Sequence, residues 1–271
     1  MAKKQGQSLK DTLQSAFASG SILIALIVSI LIYMFIMGSP SNFEGGNPDG
    51  NPIAGNYLAM IYKGGMIVPL LMTCVLVVLI FVIERFVMLR KARGKHKVNI
   101  FVRNIQNELN NNNIESAIAT CDDQKGSIAA VVKSGLLKYK ELVNDSTLDK
   151  DQKVLALQKE IEESSALELP MLSKNLVILS TLASISVLIG LIGTVLGMIR
   201  AFAALAQAGA PDALALATGI SEALINTAFG ITGSTIAIVF YNMFSSKIDG
   251  LTFKIDESAY SVVQTFASKT K

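Results

Sequence analysis

Four uninterrupted apolar runs constrain this chain more than any other feature: Gly20 to Met37, Gly64 to Ile83, Asn175 to Ile199 and Ala223 to Ser246. Each is near or above the roughly 20 residues that let a helix cross the hydrocarbon core of a bilayer. None has a charge in its interior. Charges stand at the ends instead, as Glu84 with Arg85, Arg200, Glu222 and Lys247. Backbone polar groups find no water in lipid, so runs of this kind must close their hydrogen bonds internally, as helices. The composition agrees. Only 17% of the 271 residues are charged, against about 25% in an ordinary globular chain, and the mean hydropathy is +0.48. One His and two Cys leave no His-based metal centre and no disulfide scaffold. Cys74 and Cys121 read as free thiols. A net charge of +3 gives no reason to expect nucleic acid as a partner.

The first run follows Lys3, Lys4 and Lys10, as a secretory signal would. It is longer than the about 7–15 apolar residues of a signal, and no A-x-A-like site follows, so a retained helix is expected. Lys and Arg mark the cytoplasmic flanks of membrane helices. Residues 38–62 have neither, whereas Arg85, Arg90, Lys91, Arg93, Lys95 and Lys97 open the segment after the second run. The tail carries Lys247, Lys254, Lys269 and Lys271. Both termini and the middle segment are therefore expected in the cytoplasm. The expected division is a tail at 1–19, membrane helices at 20–37, 64–83, 175–199 and 222–246, outer connections at 38–63 and 200–221, a cytoplasmic helical domain at 84–174 and a cytoplasmic C-terminal helix at 247–271.

Within the middle segment, Ile100, Val102, Ile105 and Leu109 recur at near-helical spacing, as do Ile128, Val131, Val132, Leu136 and Leu137. Asn110 to Asn113 predicts a break and Asp122 to Gly126 a turn. Asp149, or Thr147 before it, is placed to cap a helix that continues into the third run, bent or jointed at Pro170. Beyond the fourth run, Ile248, Leu251, Ile255, Tyr260 and Val263 are the expected apolar contacts of an amphipathic helix. No phosphate loop and no nucleophile–base set is visible, so a helical bundle packing against neighbouring subunits is expected. The fold class is an all-α membrane protein: four transmembrane helices, a cytoplasmic helical bundle, and long helices continuing from membrane into cytoplasm.

The third and fourth runs differ from the first two in being rich in small and hydroxyl residues. Gly190, Thr194, Gly197 and Ala201 share one helical face, with Gly193 beside them. In the fourth run Thr227, Gly230 and Ser234 form one stripe, and Glu222, Asn226 and Gly233 a neighbouring one. Small faces let helices approach closely in lipid. Glu222 lies about 15 Å along a helix that begins near Pro211 and Asp212. An acid at membrane depth usually faces a cavity, a partner or an ion path; at the outer interface it is simply solvated. Thr194 and Thr227 equally admit a hydroxyl bonded back to the preceding turn, and Asn226 is open between lining and packing. Arg200 reads as an outer-face anchor. No Asp lies in any span, so an ion path through this chain alone would be short of titrating groups.

The sequence GLIGTVLGMI over 190–199, followed by Ala201-Phe202, and ISEALINTAFG over 220–230, followed by Tyr241-Asn242-Met243-Phe244, resembles the proton-channel family of ExbB, TolQ and MotA. The likeness is sharp over roughly 175–245 and closest to ExbB. It implies a pentamer around two copies of a single-span ExbD- or TolR-like subunit whose transmembrane Asp carries the proton, with a TonB-like protein receiving the work. It implies that Thr194 and Thr227 line the ion path with Glu222 as the membrane glutamate, Asn226 and Ser234 as further lining, and Gly190, Gly193, Gly197 and Gly230 as packing positions. No cofactor is implied. The ion is H⁺ by resemblance, although hydroxyl oxygens also suit Na⁺. The location implied is a bacterial inner membrane, with the connections at 38–63 and 200–221 periplasmic. Two prolines frequent in the family are replaced here by Val187 and Ile236, and the helix at 20–37 is additional to the usual three spans.

An ion-driven motor subunit is thus the leading expectation, for TonB-linked uptake, Tol-Pal envelope maintenance or gliding. A solute transporter would be expected to show repeated halves and broken helices, which the runs lack. A passive scaffold needs neither hydroxyl-lined helices nor Glu222. An enzyme is disfavoured by the missing catalytic set.

Overall fold

The computed structural model describes residues 19–48, 50–207 and 213–269. The N-terminal tail with its lysines, the helix start expected near Pro211 and Asp212, and Lys271 lie outside the described residues. Helices account for almost all regular structure: α1 (Ser19–Met37), α2 (Tyr57–Tyr62), α3 (Val68–Arg93), α4 (Val98–Asn110), α5 (Ile114–Gln124), α6 (Gly126–Val143), α7 (Lys150–Ser173), α8 (Leu176–Gln207) and α9 (Ala213–Lys269). No strand occurs among the described residues beyond a single bridge between Phe43 and Pro52. Four helical stretches are long and apolar enough to cross a membrane. The chain is an all-α membrane protein.

The chain divides into two units, and α3, α8 and α9 contribute residues to both. The first comprises Met1–Val82 and Ile178–Tyr241. Its α1 ends in a π-helical turn, Ile32–Met37. There Tyr33 stacks on Tyr62 at 4.6 Å and donates to the Tyr62 carbonyl at 3.0 Å, which ties the first helix to α2. Asn56 caps α2 by accepting from the Leu58 and Ala59 amides. Many apolar side chains of α1, among them Leu23, Ile24, Ile27 and Phe35, are exposed. Lipid suits such a surface, since hydrocarbon imposes no penalty on it. α8 runs on to Gln207 and α9 begins at Ala213, so the described part of the expected 200–221 connection is helical.

The second unit comprises Ile83–Val177 and Asn242–Lys271. Its core gathers one face of each helix: Phe101, Ile105 and Leu109 from α4, Val131, Val132 and Leu136 from α6, Leu157 and Ile161 from α7, and Ile255, Val262 and Phe266 from α9. Asp149 closes a capping box with Gln152 at the start of α7, satisfying amides that the first turn leaves unpaired. Asn113 caps α5, so the expected break falls within the asparagine run. The turn expected over Asp122–Gly126 is shorter: α5 holds Asp122 through Gln124, and the reversal is made at Lys125 and Gly126, both at positive φ. α7 and α8 follow each other as one helical stretch, Lys150–Ala206, with a single turn between them. Pro170 stays inside α7, and a turn at Lys174 and Asn175 makes the joint. Three apolar expectations are corrected. Ile100, Leu137 and Tyr260 point outward, while Phe101, Val262 and Phe266 take core positions. Near-helical spacing admits either neighbour, and only the packed partner decides between them.

Candidate functional site

The site lies where α8 and α9 run against each other in the first unit. Small residues set the spacing. A Cβ on Gly230 would stand 2.7 Å from the Ser186 carbonyl oxygen and 2.9 Å from the Gly190 Cα; one on Gly190 would stand 3.0 Å from the Asn226 carbonyl oxygen. A Cβ on Gly197 would stand 3.0 Å from the Ala223 amide nitrogen, and one on Gly219 would collide with Ala201. The two backbones therefore touch along several turns, with glycine or alanine at each approach. Gly193 is occupied differently, since its missing Cβ leaves room for the Asn226 side chain.

Thr194 and Thr227 meet at the margin of this seam, both half-buried, with their hydroxyls hydrogen-bonded to each other. Thr194 also reaches the Gly190 carbonyl at 3.1 Å and the Ala223 carbonyl at 3.3 Å, and Thr227 reaches the Ala223 carbonyl at 3.2 Å. The bonds back to the preceding turn that the sequence allowed are thus present together with the bond across the helices. A hydroxyl has one proton and two lone pairs. Two protons therefore serve more acceptor positions than they can fill at once, and rotation of either hydroxyl exchanges one bond for another. This is what a short proton relay requires.

Glu222 and Asn226 lie one turn apart on α9. Glu222 is 7% exposed and ion-paired with Arg200 of α8. Asn226 is fully buried, and its Nδ2 donates to the Gly64 carbonyl at 2.9 Å. Gly65 at φ +78° packs its bare Cα against the Glu222 carboxylate, where any Cβ would collide. The turn before α3 is therefore held by an i, i+4 pair of polar side chains. Ser234 is buried and donates to the Ala183 carbonyl at 2.5 Å. Asn226 and Ser234 are thus enclosed by the chain's own packing.

The structure brings together Thr194 with Thr227, and Gly190 with Gly230. Glu222 is bonded to Arg200 and the threonines to each other, so the two groups have different partners. Sequence reasoning missed the role of Arg200, which is not only an anchor, and the role of Gly64-Gly65. Both left a signal. Arg200 and Glu222 stand nearly equidistant from the α8–α9 connection, and adjacent glycines preceding an apolar run mark a tight approach.

Comparison with known proteins adds a lineage. TolQ of the Tol-Pal system from Pseudomonas aeruginosa is 29% identical over 129 residues, 48% of this chain and 56% of that protein. The biopolymer transport protein ExbB of Salmonella typhimurium is 35% identical over 85 residues, 31% of this chain and 35% of that protein. ExbB of Helicobacter pylori is 36% identical over 96 residues, 35% of this chain and 66% of that protein. The chain spans about half the length, or less, of the first relatives it matches. The matching family model covers residues 123–257, which include the hydroxyl pair, the Arg200–Glu222 pair and the glycine seam. Through residues 123–257 this chain belongs to the MotA/TolQ/ExbB proton channel family.

Proposed function

We propose that the chain is the ring-forming subunit of an ion-driven motor in a bacterial inner membrane, with both termini in the cytoplasm. The observation that carries this reading is the Thr194–Thr227 hydroxyl pair, half-buried at the margin of a glycine-spaced two-helix seam. Protons pass along these hydroxyls. The charge of Glu222 is taken up by Arg200, and no Asp lies in the spans. The titrating carboxyl therefore comes from a partner, a single-span ExbD-like subunit with a transmembrane Asp, two copies within a pentamer of this chain. Protonation and release of that carboxyl shift the partner against the ring, and the movement is delivered to a TonB-like protein for outer-membrane transport. The chain itself carries out no covalent chemistry and needs no cofactor. H⁺ is the ion favoured by the family, and the same hydroxyl oxygens accommodate Na⁺.

The test is energised uptake in cells carrying Thr227→Val, which keeps the shape and removes the hydroxyl. Uptake is expected to stop while the assembled complex is recovered intact. Normal uptake in the Thr227→Val cells would overturn the reading. Co-purification without a small one-span chain bearing a membrane Asp would remove the partner from it. The likeness to TolQ proteins favours a second reading in which the same motor serves envelope maintenance. Deletion then gives detergent sensitivity with unchanged uptake.

A further inference from the structure

The second unit contains a cavity that the ion path does not use. It holds about 530 Å³ between α3, the start of α4 and α9. Its floor is apolar, with Leu89, Val98 and Phe244 buried. Its rim is cationic, with Arg90 and Arg93 on α3 and Lys247 and Lys254 on α9, and no acidic residue lines it. Lys254 is held by Glu257 at 2.7 Å. Lys247 lies over the Phe86 ring at 5.1 Å. Arg90, Arg93 and Lys247 have no carboxylate within ion-pair distance among the described residues. Like charges gathered in this way repel unless an anion stands among them.

The place in the chain narrows the anion. Phe86 and Arg90 follow directly on the second apolar run, and Phe244 and Lys247 stand at the end of the fourth. These are the residues at the membrane boundary on the side of the basic segment. Basic pockets at that level suit acidic lipid headgroups. Phe86, about half exposed, offers an apolar surface beside the charges. Gly250 also borders the cavity. It sits inside α9, where glycine weakens a helix, yet it has no positive φ, and a Cβ there would meet nothing within 4 Å. Gly250 therefore lines the cavity without narrowing it.

We propose that this cavity binds the phosphate headgroup of an anionic phospholipid, with the acyl chains running along Phe86. The phosphate lies among Arg90, Arg93 and Lys247, and Gly250 leaves room for the glycerol backbone. The site is separate from ion conduction, so its failure would leave the motor reading untouched.

The experiment measures lipid retained by the full-length protein, in its purified assembly, after reconstitution in nanodiscs of mixed phosphatidylglycerol and phosphatidylcholine. The wild type is expected to retain phosphatidylglycerol selectively. Arg90→Gln, Arg93→Gln and Lys247→Gln should each weaken retention about fivefold, matching the pull of one basic residue at a membrane surface. Gly250→Leu should abolish selectivity while the oligomeric state stays unchanged and thermal stability does not fall, because the Cβ position is open and glycine is the poorer helix former. Equal retention of both lipids overturns the proposal. Undiminished selectivity in Gly250→Leu also overturns it by placing the lipid elsewhere. Displacement by millimolar inorganic phosphate overturns the lipid assignment in favour of a soluble phosphate compound.

Discussion

Arg200 and Glu222 form an ion pair across the α8–α9 seam in which the two partners are unequally covered: 52% of the arginine side chain is exposed and only 10% of the glutamate. The arginine reaches in from an open edge to neutralise an acid that the fold has already enclosed. Isolated, that carboxylate would be strongly penalised by its loss of solvation. The pair thus allows Glu222 to occupy a packing position against Gly65 while the hydroxyl pair stays separate.

Arg200→Gln should destabilise the protein by about 1–3 kcal/mol, less than the ~3–5 kcal/mol for breaking a fully buried pair, because the arginine is half exposed. Adding Glu222→Gln should recover most of the loss, since no uncompensated charge then remains. Thermal unfolding of the purified protein and its two single and one double variants gives the coupling. Simple addition of the single losses would mean that the pair is not formed.

The Gly65 contact separates into two contributions. Gly65→Ala forces a Cβ onto the Glu222 carboxylate and also requires an unfavourable positive φ. Gly55 has a similar φ of +82°, but a Cβ there meets nothing within 4 Å. Gly55→Ala should therefore report backbone strain alone, about 1 kcal/mol, and Gly65→Ala should exceed it clearly. Equal melting temperatures would show that the Glu222 carboxylate turns aside without cost, so that its ion pair does not fix it against Gly65.

The glycine seam is tested by Gly230→Ala. The new methyl would meet the Ser186 carbonyl and the Gly190 Cα, both backbone atoms that cannot rotate aside. Separation of α8 from α9 should destabilise the protein by about 1–3 kcal/mol and stretch the Thr194–Thr227 bond. Loss of energised function is expected even though no hydroxyl has been removed. Gly20→Ala, with open space around it, should be silent in the same assay.

The membrane helices were legible because long apolar runs leave few alternatives. The seam was legible in outline, since Gly190, Gly197 and Ala201 share a helical face whatever they pack against. What they pack against was not. The same stripe could have faced another subunit, and the contacts of Gly197 with Ala223 and of Ala201 with Gly219 appear only once the antiparallel register is known. Arg200 illustrates the limit: from the sequence it is a charge at a helix end, and its partner 22 residues away is fixed by tertiary structure. In the second unit, periodicity found the helices and misplaced Ile100, Leu137 and Tyr260, because a one-residue shift on an amphipathic face changes little in the pattern and much in the burial.

Cys121 gives a test by pH. It is buried in the core of the second unit. Burial, aided by the neighbouring Asp122 charge and opposed in part by Lys133, pushes its thiol from 9.0 up to about 12. The unfolded chain gives up this proton near pH 9, while the folded protein keeps it to about pH 12. Between those values the unfolded state binds fewer protons, so stability falls as pH rises; below about pH 9 the contribution is fully present. Tyr139, also raised by burial, adds to the decline, so the informative quantity is the difference between the wild type and Cys121→Ala. That difference should be constant from about pH 7 to about pH 8.5 and move against the wild type from about pH 9 upward. At about pH 8 the folded protein should resist iodoacetamide at Cys121, as read by peptide mass mapping, while the denatured chain is labelled within minutes. Rapid labelling of the folded protein would place the thiol at the surface and remove the basis for the pH slope.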